Sequence, residues 1–305
     1  MLFRTLVLKL AALKPFERTT KSRLFRPLVK RFVAAEDLET ALKVGEEYAK
    51  NGYLVSMDLL GENVATREEA EQETLSYIAM AEQIAKSPHR DKINISAKLT
   101  ALGMDLGDDL ATENYRRILD ACKPHGIFVR ADMEASPYTE RTVKIIERLF
   151  PQYNNCGTVL QAYLHRTATD VQRMIGMRAR VRIVKGAYLE PDTVAYQQKQ
   201  KVDEMYVKDA KALLLEGNYP AIATHDSKII SELKEFIKQE RIPNERYEWQ
   251  MIFGVRRDLQ ETLLNEGYNV RIYIPYGAAW YPYFSRRLAE RPANLLFVLK
   301  SLFKK

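Results

Sequence analysis

Cysteine is nearly missing from this chain: Cys122 and Cys156 are the only two in 305 residues, and they lie far apart. That count excludes a disulfide framework and a cysteine-based zinc site, and it fits a reducing compartment. Histidine is scarce as well. His89, His125, His165 and His225 show no metal-ligand spacing, so no metal is expected. No G-x-G-x-x-G occurs, which removes the fingerprint of a dinucleotide-binding doubly wound sheet. Nor is there an apolar run approaching the ~20 residues that cross a bilayer. Arg4, Lys9 and Lys14 interrupt the leading one, which also argues against a cleaved signal. An Arg-rich, acid-poor start leaves a mitochondrial transit peptide open.

What charge there is has an uneven distribution. The formal net charge is +7, yet residues 1–31 hold nine cations against Glu17 alone, so the basicity belongs to the arm. No nucleic-acid-binding module is recognisable there, and nucleic acid is not expected as a partner. Leu2, Leu6, Leu10 and Leu13 recur at helical spacing beside the cations, a pattern suited to a membrane surface. Packing of the arm on the body is the alternative. The expected location is the cytoplasm, peripheral on the inner face of the membrane.

Hydrophobic content of 46% supports a sizeable core. A helix is expected over Ala34–Asn51, and the first division of the chain falls there: an N-terminal helical arm over 1–52, then a body over 53–305. Eight apolar runs of strand length follow, at Tyr53–Leu60, Ile93–Ala97, Ile127–Met133, Thr158–Tyr163, Val181–Val184, Ala221–Ala223, Glu248–Ile252 and Val270–Ile274. Helical patterns separate them, with capping boxes expected at Thr66–Glu69 and Thr169–Gln172. Eight strands alternating with helices over this length predict an α/β fold of the (βα)8 TIM-barrel type.

Chemistry in such a barrel sits where the strands end. Those ends supply Lys98, Asp132, Gln161 and Tyr163, Arg182 with Lys185, Thr224 with His225, Glu248 with Gln250, and Arg271 with Tyr273. Cations inside strands that should be buried are costly unless paired. Taken one at a time they could be structural ion pairs, such as Asp132 with Arg182. Lys185-Gly186-Ala187 suits an anion, because small residues let backbone N–H groups approach it. After the eighth strand Pro282 suits a first helical position. Tyr283, Arg286, Arg287 and Glu290 then share one helix face. Two guanidiniums and one carboxylate on a single face are shaped to grip a small carboxylate. An ordinary Arg286–Glu290 surface pair is the competing reading.

The motifs LQAY, VRIVKGAYLE, ATHDS, EWQMIFG, RIYIPYG and YFSRRLAE, in this order, resemble those of proline dehydrogenases. The likeness runs from about Val55 to Leu299, and the length matches the monofunctional bacterial form. It implies FAD as cofactor, L-proline as substrate, 1-pyrroline-5-carboxylate as product and a quinone as electron acceptor. By the same resemblance Arg286, Arg287 and Lys98 bind the proline carboxylate, Glu290 orients the arginines and Tyr273 packs on the ring. Asp132 and Arg182 match catalytic positions, Arg182 close to the flavin N5. Gln161, Lys185, Gly186, Ala187, Thr224 and His225 hold FAD, with Met133 beside it through its backbone. Asp226 departs from the pattern where an Asn is also found. The alternatives are a flavin barrel acting on hydroxyproline or another cyclic amine, and a non-redox carboxylate-binding barrel.

Overall fold

The computed structural model describes residues 29–290, except the side chains of 288–290. Eight parallel strands close a barrel in chain order. They are β1 (Leu54–Leu59), β2 (Ile93–Lys98), β3 (Val129–Asp132), β4 (Cys156–Gln161), β5 (Arg180–Val184), β6 (Ala221–Ala223), β7 (Glu248–Ile252) and β8 (Val270–Tyr276). A helix precedes β1, α1 (Leu38–Lys50). One follows each strand: α2 (Arg67–Lys86), α3 (Asp108–Cys122), α4 (Ser136–Leu149), α5 (Thr167–Met177), α6 (Lys199–Glu216), α7 (Ser227–Gln239), α8 (Arg257–Asn265) and α9 (Trp280–Glu290). All eight expected strands form, with shifted ends: the third shortens and the fourth starts earlier, at Cys156. No described helix is long and apolar enough to cross a membrane.

Alternation along each strand divides the residues between two surroundings. Val55, Met57, Ile93, Ile95, Val129, Ala131, Ile183, Ile272 and Ile274 are fully buried and join one apolar cluster with residues of the helices. The main core is thus the annulus between strands and helices. The other face is polar. Arg182 on β5 bonds to residues of β2, β3 and β7, none of them its neighbour in the sheet, so these side chains must meet across the barrel interior.

Capping explains some helix starts and corrects others. The Thr66–Glu69 capping box is present in full at α2. The expected box at Thr169–Gln172 is not: α5 begins three residues earlier, with Arg166 at the cap position. The Thr167 hydroxyl donates to the Gln161 carbonyl at the end of β4, which draws the helix start back. The first helix is also shorter than expected. Asp37 caps it by accepting from Thr40 N–H, while Ala34 and Ala35 are engaged with the end of β8. Pro282 falls at the third position of α9 and not the first. It is still within the first turn, where its missing N–H costs nothing.

The two ends of the chain exchange duties around the barrel. α1 lies on β1 and β8, where a helix following β8 would otherwise close the ring. Gly45 makes this close: a Cβ there would stand 3.3 Å from Met57 Sδ and 3.4 Å from Val55 Cγ1. α9 instead joins a separate apolar cluster with Val29, Phe32, Val33 and Leu60, through Trp280, Tyr283 and Phe284.

One buried acid stands outside this scheme. Asp209 on α6 is 2% exposed, and its Oδ2 lacks a hydrogen-bond partner. Burial pushes its carboxyl up to about 6. An acid raised in the folded state costs stability as pH climbs past the unfolded value, and the cost is complete above the folded one. Asp209→Asn should therefore be neutral at about pH 4 and raise Tm by about 2–4 °C above about pH 7. Thermal melts across that range check it.

Candidate functional site

The barrel interior is built in tiers of charge. At the N-terminal end Arg271 donates from Nε to both Glu248 oxygens at 2.8 and 3.0 Å, and from Nη1 to the carbonyls of Val55 and Lys92. Burial would raise the Glu248 carboxyl, but Arg271 outweighs it and holds the group below its ordinary value. Sequence order placed both residues among the mouth groups, and the structure corrects that. Glu248 opens β7 and Arg271 is second in β8, so both sit at the opposite end.

Arg182 occupies the middle tier with its fork filled. Nε donates to Gln250 Oε1 at 2.6 Å, Nη1 to Asp132 Oδ1 at 2.9 Å and Nη2 to Ser96 Oγ at 2.8 Å. Its guanidinium carbon is 4.9 Å from the centre of the Tyr273 ring. Tyr273 in turn donates to Asp132 Oδ2 at 2.6 Å. Each oxygen of Asp132 therefore has its own donor.

Above lies the mouth. Lys98 Nζ bonds Asp58 Oδ1 at 2.6 Å, while Asp58 Oδ2 is buried without a partner. Burial alone would lower the Lys98 ammonium, but Asp58 and Asp132 outweigh it and raise it. The same burial raises the Asp58 carboxyl, partly offset by Lys98. Arg286 on α9 reaches Glu62 at 2.7 Å, and Arg287 lies over the Tyr283 ring, 5.4 Å from its centre. The partner found for Arg286 is Glu62; the Glu290 side chain lies outside the described residues. Lys98, Arg286, Glu62, Glu73 and Tyr283 line one cleft of about 570 Å³. Glu134 accepts from Thr100 Oγ1 at 2.5 Å and Thr100 N at 3.1 Å, and burial pushes it up to about 7.

Strands 4 to 6 bring a different set to the same end. Gln161 Nε2 donates to the Glu134 carbonyl at 2.8 Å. His225 Nε2 accepts from Ile252 N–H at 2.9 Å, which leaves the proton of the neutral ring on Nδ1. Thr224 Oγ1 accepts from Asp226 N–H. Gly186 has φ of 122°, and a Cβ there would fall on the Tyr163 ring, so glycine is required. Ala187 follows it in the same loop. Lys185 bridges Asp203 at 2.5 Å and Asp226 at 2.9 Å, and Lys199 pairs with the same two acids. Guanidinium, amide, imidazole N–H and ammonium on adjacent strands are the donors that a heteroaromatic ring with a phosphate tail needs.

The structure thus joins Asp132, Arg182 and Tyr273 by hydrogen bonds, with Met133 buried next to Asp132, and sets Lys98 and Arg286 together on the cleft, Lys98 within electrostatic reach of Asp132. Sequence reading missed Asp58, Glu62, Glu134 and, in the loop after β5, Tyr188, whose phenol is within electrostatic reach of Glu134, Glu62, Arg286 and Lys98. Asp58 had a signal: it is the only acid in the apolar run Leu54–Leu59. The other three sit in loops with no pattern to mark them.

A (βα)8 barrel with a charged interior and a cleft at the C-terminal mouth defines a barrel enzyme. A family model described as proline dehydrogenase matches residues 41–300. Proline dehydrogenase 1 of Bacillus subtilis is 40% identical over 276 residues, covering 90% of this chain and 91% of that one. Proline dehydrogenase of Deinococcus radiodurans is 38% identical over 311 residues, covering 99% and 98%. The crystal structure of proline utilization A from Bdellovibrio bacteriovorus, inactivated by N-propargylglycine, superposes with a TM-score of 0.81 at 26% identity. That match covers 87% of this chain, which spans about a third (33%) of that protein. The chain belongs to the proline dehydrogenase family.

Removing one partner of a buried pair strands the other charge. Lys98→Met should lower the unfolding free energy by about 3–5 kcal/mol, and adding Asp58→Asn should recover much of it. Urea unfolding of both variants measures the difference.

Proposed function

We infer that the protein oxidises L-proline to 1-pyrroline-5-carboxylate, with FAD as the bound acceptor and a quinone taking the electrons onward. The observation that carries the reading is the cleft shared by Lys98 and Arg286 above the Asp132–Arg182–Tyr273 group, in a chain of this family. Arg286, Arg287 and Lys98 clamp the substrate carboxylate, with Arg286 exchanging Glu62 for it. Glu290, one turn on from Arg286, orients the arginines. Tyr273, held by Asp132, offers a fixed wall to the ring. When bound, FAD supplies the hydride-accepting ring, hydride leaving the carbon next to the nitrogen. Gln161, Arg182, Lys185, Gly186, Ala187, Thr224 and His225, with the backbone of Met133, would hold it.

Hydride loss also requires that the substrate nitrogen shed its proton. Lys98 is kept protonated by Asp58 and Asp132, so it cannot take that proton. It does the opposite service, disfavouring the ammonium form beside it. Asp132 and Arg182 act by fixed position, because each is held by several partners.

The basic arm adds a membrane contact to this reading. At its described end Val29, Phe32 and Val33 pack against α9. Anionic lipid would attract each by about 1 kcal/mol near the surface. Such a contact brings the enzyme to a quinone dissolved in the bilayer. Liposome sedimentation at low salt decides it: full-length protein should pellet with anionic vesicles, and protein lacking 1–28 should not.

Purified protein should show a flavin spectrum that bleaches when proline is added without oxygen. No flavin, or no bleaching, overturns the reading. Arg287→Met should keep the flavin and lose a charged hydrogen bond of about 2–3 kcal/mol, lowering kcat/KM for proline by roughly 30- to 150-fold.

A further inference from the structure

Helix α4 starts without a cap of its own. Its N-cap position is Ala135, which offers no side-chain acceptor to the first-turn N–H groups. The missing acceptor comes from 54 residues further along the chain. Glu190, in the loop between β5 and α6, takes the Ser136 N–H on Oε1 at 2.7 Å and the Ser136 hydroxyl on Oε2 at 2.5 Å. A carboxylate at a helix N-terminus is also favoured by the helix dipole.

The position of this contact within its loop gives it a consequence. The loop leaves β5 through Lys185, whose carbonyl accepts from Tyr163 N–H, and is tied again at 194–196 to Tyr163 and His165. Its crest lies between those ties. There the side chains differ in exposure: Tyr188 is half-buried, Leu189 is 56% exposed, and Glu190 crosses to α4. The Tyr188 phenol is within electrostatic reach of Glu134, Glu62, Arg286 and Lys98. Of these, Glu62, Arg286 and Lys98 line the mouth cleft, and Tyr188 follows β5 at the same end of the barrel.

We propose that Glu190 is a positioning residue, which holds Tyr188 at the mouth by serving as the N-cap of α4. Resting as it does on the proline dehydrogenase reading, the proposal makes Glu190 act on substrate binding and not on hydride transfer. The β5–α6 loop and the β3–α4 loop, which carries Met133 and Glu134, are thereby fastened to one another. If the clasp is lost, Tyr188 leaves its place although Tyr188 itself is intact.

The test is a double-mutant cycle with Glu190→Ala and Tyr188→Ala in the flavin-loaded enzyme. Glu190→Ala should raise KM for proline about tenfold with kcat within about threefold of wild type. In the Tyr188→Ala background the same change should raise KM by less than about twofold, because the residue it positions is already gone. Glu190→Gln, which keeps an acceptor for Ser136 N–H, should recover most of the loss, and Glu190→Met, which removes both acceptors at similar length, replaces the alanine variant if that one fails to fold. Hydrogen exchange of the substrate-free protein is read alongside. Amides in 187–192 and in the first turn of α4 should exchange about tenfold faster in Glu190→Ala. An unchanged KM, an equal KM rise in the Tyr188→Ala background, or unchanged exchange overturns the proposal. Wild-type protein that does not turn over proline would instead overturn the functional reading, and exchange alone would still decide whether Glu190 holds the loop.

Discussion

A guanidinium inside a closed barrel is the constraint on which the rest of this structure depends. Arg182 is cut off from water below by the Glu248–Arg271 tier and can be tolerated only if its donors are answered within the barrel. Three strands answer: β2 with Ser96, β3 with Asp132 and β7 with Gln250. Those bonds span the interior and fix the rotation of each contributing strand. Asp132, with one oxygen given to Arg182, holds Tyr273 with the other. The interior resembles a framework of struts more than a packed oil drop. Its rigidity is a requirement of charge, not of volume.

The same constraint separates two jobs that many barrels mix. Apolar burial is assigned to the outer annulus, where Val55, Ile95, Val129, Ile183 and Ile272 meet the helices. The inward positions are then released from the need to be hydrophobic and can carry ionic pairs from one end to the other. The lower pair, Glu248 with Arg271, closes the floor, and the upper pairs stay within reach of a ligand.

Much of this could be read from residue order, and the failures have physical causes. Strand number and sequence were legible because β-branched runs alternate with helical stripes, a signal that survives errors at each end. Polar residues in strands were legible as anomalies. Which end of the barrel they occupy was less so: Arg271 looks equivalent to Tyr273 until strand direction and register are known. The Thr169–Gln172 pattern satisfied a local rule, yet a tertiary bond from Thr167 to the end of β4 prevailed. Partners brought in by loops were invisible. Glu62 and Tyr188 reach the mouth only through the fold, and no spacing links them to Arg286.

The exchange of duties between α1 and α9 has a further consequence for how the molecule opens. Since a helix from the front of the chain seals the seam between β8 and β1, the seam does not rely on the segment that follows β8. α9 rests on a small apolar cluster separate from the main core and on the Arg286–Glu62 bridge. Its detachment is then a local event, with a free energy well below that of global unfolding. The barrel thus keeps its β8–β1 seam closed whether or not α9 is docked.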